Sequence, residues 1–101
     1  MVIKPHPHVV SRVVHDLALV LHHQRDEIQQ LNIVGSFIWR RVLEARFTYN
    51  DILDEIIREF NVDQETAERD LDDFIFLLKE RELIADFTYN KIHRVEDPPS
   101  S

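Results

Sequence analysis

The fold is decided between Leu17 and Val42, LALVLHHQRDEIQQLNIVGSFIWRRV, where the spacing of apolar residues changes period at Asn32. Before that point Leu17, Leu19 and Leu21 alternate with Ala18, Val20 and His22, the period of two of a strand with two distinct faces. Gln24-Arg25-Asp26 reads as a turn, and Glu27-Ile28-Gln29-Gln30-Leu31 as a further strand. After that point Val34, Phe37, Ile38 and Val42 recur at helical spacing, with Trp39 and Leu43 widening the stripe. Asn32 stands where an N-cap belongs, because its short side chain can accept a hydrogen bond from the first turn.

Upstream, Val9-Val10-Ser11-Arg12-Val13-Val14 is β-branched and lacks helical periodicity, so it forms the first strand of a meander. Residues 1–8, with Pro5 and Pro7, read as an extended N-terminal arm. Downstream, Thr48 caps a second helix with Asp51 in a capping-box position. Its buried face is Ile52, Leu53, Ile56, Ile57 and Phe60, and Asn61-Val62 ends it. Asp63 opens a third and longest helix reaching to about Leu83, with Ala67, Leu71, Phe74 and Leu78 as its core stripe and Ile75 on the flank. The expected architecture is α+β: a three-stranded antiparallel β-meander packed on a three-helix bundle, in a winged helix-turn-helix-like order over residues 9–85. Residues 86–101 form a C-terminal extension; its first part suits either a strand or a helix, and its Pro98-Pro99-Ser100-Ser101 end reads as disordered.

Composition removes several classes of function. The chain of 101 residues is one domain in size, with 44% hydrophobic residues. Gly35 is the single glycine, so no glycine-rich loop exists to cradle a phosphate. There is no cysteine, which excludes disulfides, thiolate metal sites and thiol nucleophiles. Of the histidines, His22 and His23 are strand neighbours that point to opposite faces, and no helical His-x-x-x-His pattern occurs, so no metal or other cofactor is expected. Ser11 and Ser36 lack any supporting pattern for nucleophilic catalysis, and no enzymatic activity is expected. With neither a signal sequence nor a membrane-spanning run, the expected location is cytoplasmic.

The net charge is −7, which disfavours nucleic acid as a partner and fits either a basic peptide or plain solubility. The third helix is the most acidic part: from Asp63 to Glu82 eight carboxylates stand against three basic groups. In a DNA-reading winged helix this element enters the major groove, where such a charge would be repelled by phosphates. On the helical wheel Leu77 falls beside the core stripe, next to Thr66, Asp70 and Asp73. Either Leu77 and Phe74 line an apolar pocket whose Asp70 and Asp73 meet basic groups, or Leu77 packs on the sheet and the aspartates are simply solvated. Phe76 points away from the core stripe, among Arg69, Asp72 and Lys79, so that Phe87 and Tyr89 fold back over it or it meets another chain, a homodimer included. In the third strand, Gln29 and Gln30 face opposite sides, which suits a strand that pairs with a partner and equally an ordinary edge strand.

The ordered series Leu31-Asn32, Gly35, Ile38-Trp39, Leu43, Thr48, Ile52, Ile56, Asp70-Leu71, Phe74-Ile75 and Leu83-Ile84 resembles the PqqD family and the related leader-peptide recognition elements of ribosomal peptide maturation. The resemblance spans roughly residues 9–85. One departure is Glu44-Ala45, where such chains usually carry Asp-Gly after the first helix, and another is the tail from Asp86 onward. The resemblance implies a non-catalytic adaptor that binds the leader of a precursor peptide as an added strand beside the third strand, in the groove against the third helix. It implies a modifying enzyme as second partner, such as a radical SAM protein or a cyclase or protease. The candidate peptide-binding residues are then Ile28, Gln29, Gln30 and Leu31 of the strand, and Thr66, Arg69, Asp70, Asp73, Phe74 and Leu77 of the helix. A winged-helix nucleic-acid-binding or dimerising regulatory module is the alternative that this element order allows.

Overall fold

A computed structural model describes residues 2–85. Expectations for the C-terminal extension, including cover of Phe76 by Phe87 and Tyr89, lie outside the described residues. The order is β1 (Val9–Val14), β2 (Leu17–His22), β3 (Glu27–Gln30), α1 (Ile33–Glu44), α2 (Tyr49–Phe60) and α3 (Gln64–Glu80). The strands form one antiparallel sheet in the order β1-β2-β3, so the α+β plan read from the periodicities is the fold. His15 and Asp16 join β1 to β2 with φ of 53° and 70°, the doubly left-handed turn that matches the twist of a two-residue hairpin.

The alternation in β2 has a definite polarity. Ala18, Val20 and His22 are buried, and the three leucines take the outer face. The smaller set lies inside because α1 packs directly on β2, and the closest approach is made through Ser36. Its buried Oγ accepts the Ala18 N–H at 2.8 Å and donates to the Leu31 carbonyl at 3.2 Å. Trp39, fully buried, donates its indole N–H to Ser11 Oγ at 3.0 Å and so ties the same helix to β1. On the outer face Val10, Val14 and Ile28 remain exposed, and none of its strand residues is acidic.

Capping follows the local chemistry. Asn32 Oδ1 accepts the Gly35 N–H at 2.7 Å, and Thr48 with Asp51 forms a reciprocal box at 3.1 and 3.0 Å. That box holds the Asp51 carboxyl below its ordinary range, chiefly through the Thr48 N–H. Helix α1 ends at Ala45 in the left-handed region, φ 56°, a C-terminal conformation that favours glycine.

Three features differ from the expectation. In α3 the buried residues are Ala67, Leu71, Ile75 and Leu78, so Ile75 and not Phe74 occupies the stripe, and Phe74 is half-buried on its flank. The helix stops at Glu80, because the Leu83 N–H turns back onto the Leu78 carbonyl at 2.8 Å and Glu82 adopts φ 57°. The arm is built into the core: Ile3 is fully buried and donates to the Phe47 carbonyl at 3.1 Å. Val2 pairs with Thr48 and Pro5 with Ile84.

Two outcomes follow for thermal unfolding. Ser36→Ala strands two buried backbone groups, at a cost of about 2 kcal/mol, or roughly 10 °C in Tm for a domain of this size. Ala45→Gly relieves left-handed strain of about 1 kcal/mol, partly offset by the greater freedom of glycine in the unfolded chain, and should raise Tm by a few degrees.

Candidate functional site

Among the described residues β3 is an edge strand with one side unpaired. The Leu31 N–H bonds to the Ala18 carbonyl at 2.9 Å, and the register pairs Gln29 with Val20. Main-chain groups alternate in direction along an antiparallel strand, so residues 29 and 31 address β2. The N–H and carbonyl groups of Ile28 and Gln30 address the free edge. The Ile28 side chain is 67% exposed on the outer face, and Gln29 is half-buried on the helix side.

Helix α3 runs past this edge in the opposite sense. At the start of β3, Glu27 Oε1 lies 3.6 Å from the Arg81 guanidinium and 3.8 Å from that of Arg25, which also reaches Glu82 at 3.7 Å. At the other end, the α1 entry meets the middle of α3 across a cavity of about 320 Å³ lined by Asn32, Val34, Gly35, Ile38, Asp70, Asp73, Phe74 and Leu77. The ion pairs thus join the start of β3 to the end of α3, while the cavity lies between the start of α1 and the middle of α3.

Gly35 sets the depth of the cavity. A Cβ at this position would stand 2.9 Å from Phe74 Cε1, 3.1 Å from Asn32 Oδ1 and 3.4 Å from Leu31 Cβ. Only the missing side chain lets the Phe74 ring lie against α1 and leave the space beside Leu77 open. Asp70 and Asp73 stand exposed on the rim and make no ion pair among the described residues. Asp72, one position away, is instead committed to α2 and accepts the Tyr49 hydroxyl at 2.7 Å.

Of the residues selected from the sequence, Asp70, Asp73, Phe74 and Leu77 therefore share one cavity, while Ile28, Gln29 and Gln30 lie along the open edge. Thr66 is half-buried and Arg69 exposed, and neither lines the cavity. Leu31 is 4% exposed, a core side chain that Ser36 and Ala18 hold by the backbone. The α1 wall of Asn32, Val34, Gly35 and Ile38 was not anticipated; the lone glycine inside an apolar helix was the available signal. A larger hollow of about 390 Å³ between α1 and α2 is lined by Phe37, Arg41, Glu55, Arg58 and Glu59. Its central charges already satisfy one another, with Arg41 Nε 2.7 Å from Glu55 Oε1 and the guanidinium 4.0 Å above the Phe37 ring.

Among the described residues no group of three or more His, Cys, Asp or Glu side chains is placed to hold a metal ion. No described helix is long and apolar enough to cross a membrane.

A small meander-plus-helices domain with an open strand edge beside an apolar, acid-rimmed cavity has the form of a recognition module. The chain belongs to the PqqD family: the model of coenzyme PQQ synthesis protein D matches residues 18–84. Among solved structures it is similar to TbiB1 in complex with the TbiA(beta) leader peptide, at 37% identity and a TM-score of 0.78 over 85% of this chain and 99% of that one. It also shares its fold with a lasso peptide synthetase B1 complexed with the leader peptide, at 23% identity and a TM-score of 0.74 over 83% of this chain and 98% of that one. No curated protein matches the chain.

Gly35→Ala should drive Phe74 off α1, costing about 1–3 kcal/mol by overpacking. Adding Phe74→Leu should recover part of that loss, a non-additivity measurable in a double-mutant cycle of thermal melts.

Proposed function

We propose that this protein is a non-catalytic adaptor that takes the leader region of a ribosomally made precursor peptide as a fourth strand on β3 and presents it to a maturation enzyme. The observation that carries this reading is the edge at Ile28 and Gln30, unpaired among the described residues, which leads in the chain to the Asn32–Gly35 wall of the cavity that Phe74 and Leu77 also line. An exposed edge of this kind is ordinarily blunted because it invites pairing with other chains. Here it lies beside a pocket that can discriminate among the strands offered, the division of labour of β-augmentation: main-chain bonds supply affinity and side-chain pockets supply specificity. The TbiB1 relative was solved in complex with a leader peptide, which supports a leader peptide as the partner of this chain.

The site residues in this reading are Ile28 and Gln30 for main-chain pairing, Gln29 flanking them, and Phe74 and Leu77 for an apolar side chain. Asp70 and Asp73 meet basic groups of the leader, with Thr66 and Arg69 on the helix beyond them. Leu31 contributes through the backbone it fixes. The second partner is a modifying enzyme, such as a radical SAM protein, a cyclase or a protease, acting in the cytoplasm. Once a leader strand fills the groove, the outer sheet face with Val10, Val14 and Ile28 is the apolar surface left for that enzyme. A nucleic-acid reader built on this plan would present α3 to phosphates, and its balance of eight carboxylates to three basic groups between Asp63 and Glu82 opposes that use.

Calorimetric titration with a synthetic leader peptide, taken from a precursor gene adjacent to the coding region, tests the reading. Leu77→Ala removes about 2 kcal/mol of apolar contact, roughly 30-fold in affinity, and Asp73→Lys should weaken a basic leader further. Ile28→Pro deletes an outward N–H without breaking a β2–β3 bond, so the fold should persist while binding is lost. Unchanged affinity in all of these folded variants would remove the groove as the binding site.

A further inference from the structure

Three imidazoles meet where the arm crosses the end of β2. The His6 ring centre lies 4.7 Å from that of His22 and 5.3 Å from that of His8, and His8 is 6.2 Å from His22. His22 is only 2% exposed, and its Nδ1 accepts the Gln24 N–H at 3.1 Å. An imidazole that accepts through Nδ1 carries its single proton on Nε2, and this buried Nε2 has no hydrogen-bond partner among the described residues. His6 repeats the arrangement: its Nδ1 accepts the His8 N–H at 3.0 Å. Both rings are therefore committed to one neutral tautomer.

A second proton on His6 must go to Nδ1, where the His8 N–H already points, and its uptake breaks the bond that shapes the arm. The surroundings hold little spare negative charge to welcome it. The charged and titratable groups nearby are Lys4 and His8 on the arm, His23, Arg25 and Asp26 at the turn, Glu27 on β3, and Arg81 and Glu82 after α3. Of these, Glu27 and Glu82 are already shared between Arg25 and Arg81.

The geometry points to a pH-operated latch: in mildly acidic solution His6 takes up a proton, and the arm loses the His8 N–H to His6 Nδ1 bond that locks it against the end of β2. The device does not depend on the leader groove, since it is defined by the arm alone. Desolvation, followed by the neighbouring His22 and His8, holds His6 below the ordinary histidine value of 6.5, with Glu82 opposing. The unfolded chain thus takes up this proton first, so the contribution to stability is complete above that value and falls as the pH drops through it.

Amide hydrogen exchange of the full chain, expressed as protection factors so that the intrinsic pH dependence cancels, reads the latch at the His8 amide. Its protection should fall by about tenfold or more between about pH 7.5 and about pH 5.5, the range in which histidine titrates, while the Val20 and Trp39 amides stay protected. In His6→Asn the asparagine oxygen can accept the same N–H but cannot be protonated, and the fall should disappear. Protection that is independent of pH in the native chain, or a fall that persists in His6→Asn, would overturn the latch.

Discussion

One hydroxyl holds the two halves of this domain together. Ser36 lies between the Ala18 N–H and the Leu31 carbonyl, two groups that an unbroken β2–β3 ladder would pair with each other. The Leu31 N–H still reaches the Ala18 carbonyl, so the ladder closes on one side and admits a helix on the other. Several constraints come from that point. It requires a small residue at position 18, it places Leu31 in the core, and it starts α1 directly under the sheet, where Trp39 can reach Ser11.

The groove is a consequence of the same junction. Because α1 begins immediately after β3, its first turn forms one wall of the cavity. Asn32 caps that turn and lines the cavity as well. Gly35 then allows Phe74 to cross close over α1, and Leu77 lines the same cavity. At the far end the Glu27–Arg81 and Arg25–Glu82 contacts hold the hairpin against the end of α3. Exposed ion pairs of this length contribute little stability, and their role here is to set a spacing. An acidic rim at Asp70 and Asp73 adds a sign preference to what is otherwise a shape.

Much of this was legible in the residues because local rules and tertiary structure agree. The period-two alternation of β2, the caps at Asn32 and Thr48 and the stripe of α2 are all decided within a few residues of each position. The failures are of another kind. Ile3 sits in a short segment between a terminus and two prolines, and no periodicity can announce that it fills the core. A helical wheel fixes angles between Phe74 and Ile75 but not which of them faces inward; Gly35, on a different helix, allows Phe74 its place on the flank. For the same reason the wheel sets Asp70, Asp73, Phe74 and Leu77 on one side of α3 but does not indicate that Val34 and Ile38 of α1 lie across the cavity from them. From the sequence His22 and His23 read as strand neighbours, whereas the cluster brings together the arm and β2, which only the folded chain does.

Added-strand binding depends on the direction of the main-chain groups in β3, and amide protection measured by NMR, with and without saturating leader peptide, addresses that directly. Added-strand pairing predicts that the Ile28 and Gln30 amides gain protection on binding while Gln29, already paired toward Val20, changes little. Saturable binding that leaves Ile28 and Gln30 exchanging as in the free protein, with protection confined to α3, would contradict it.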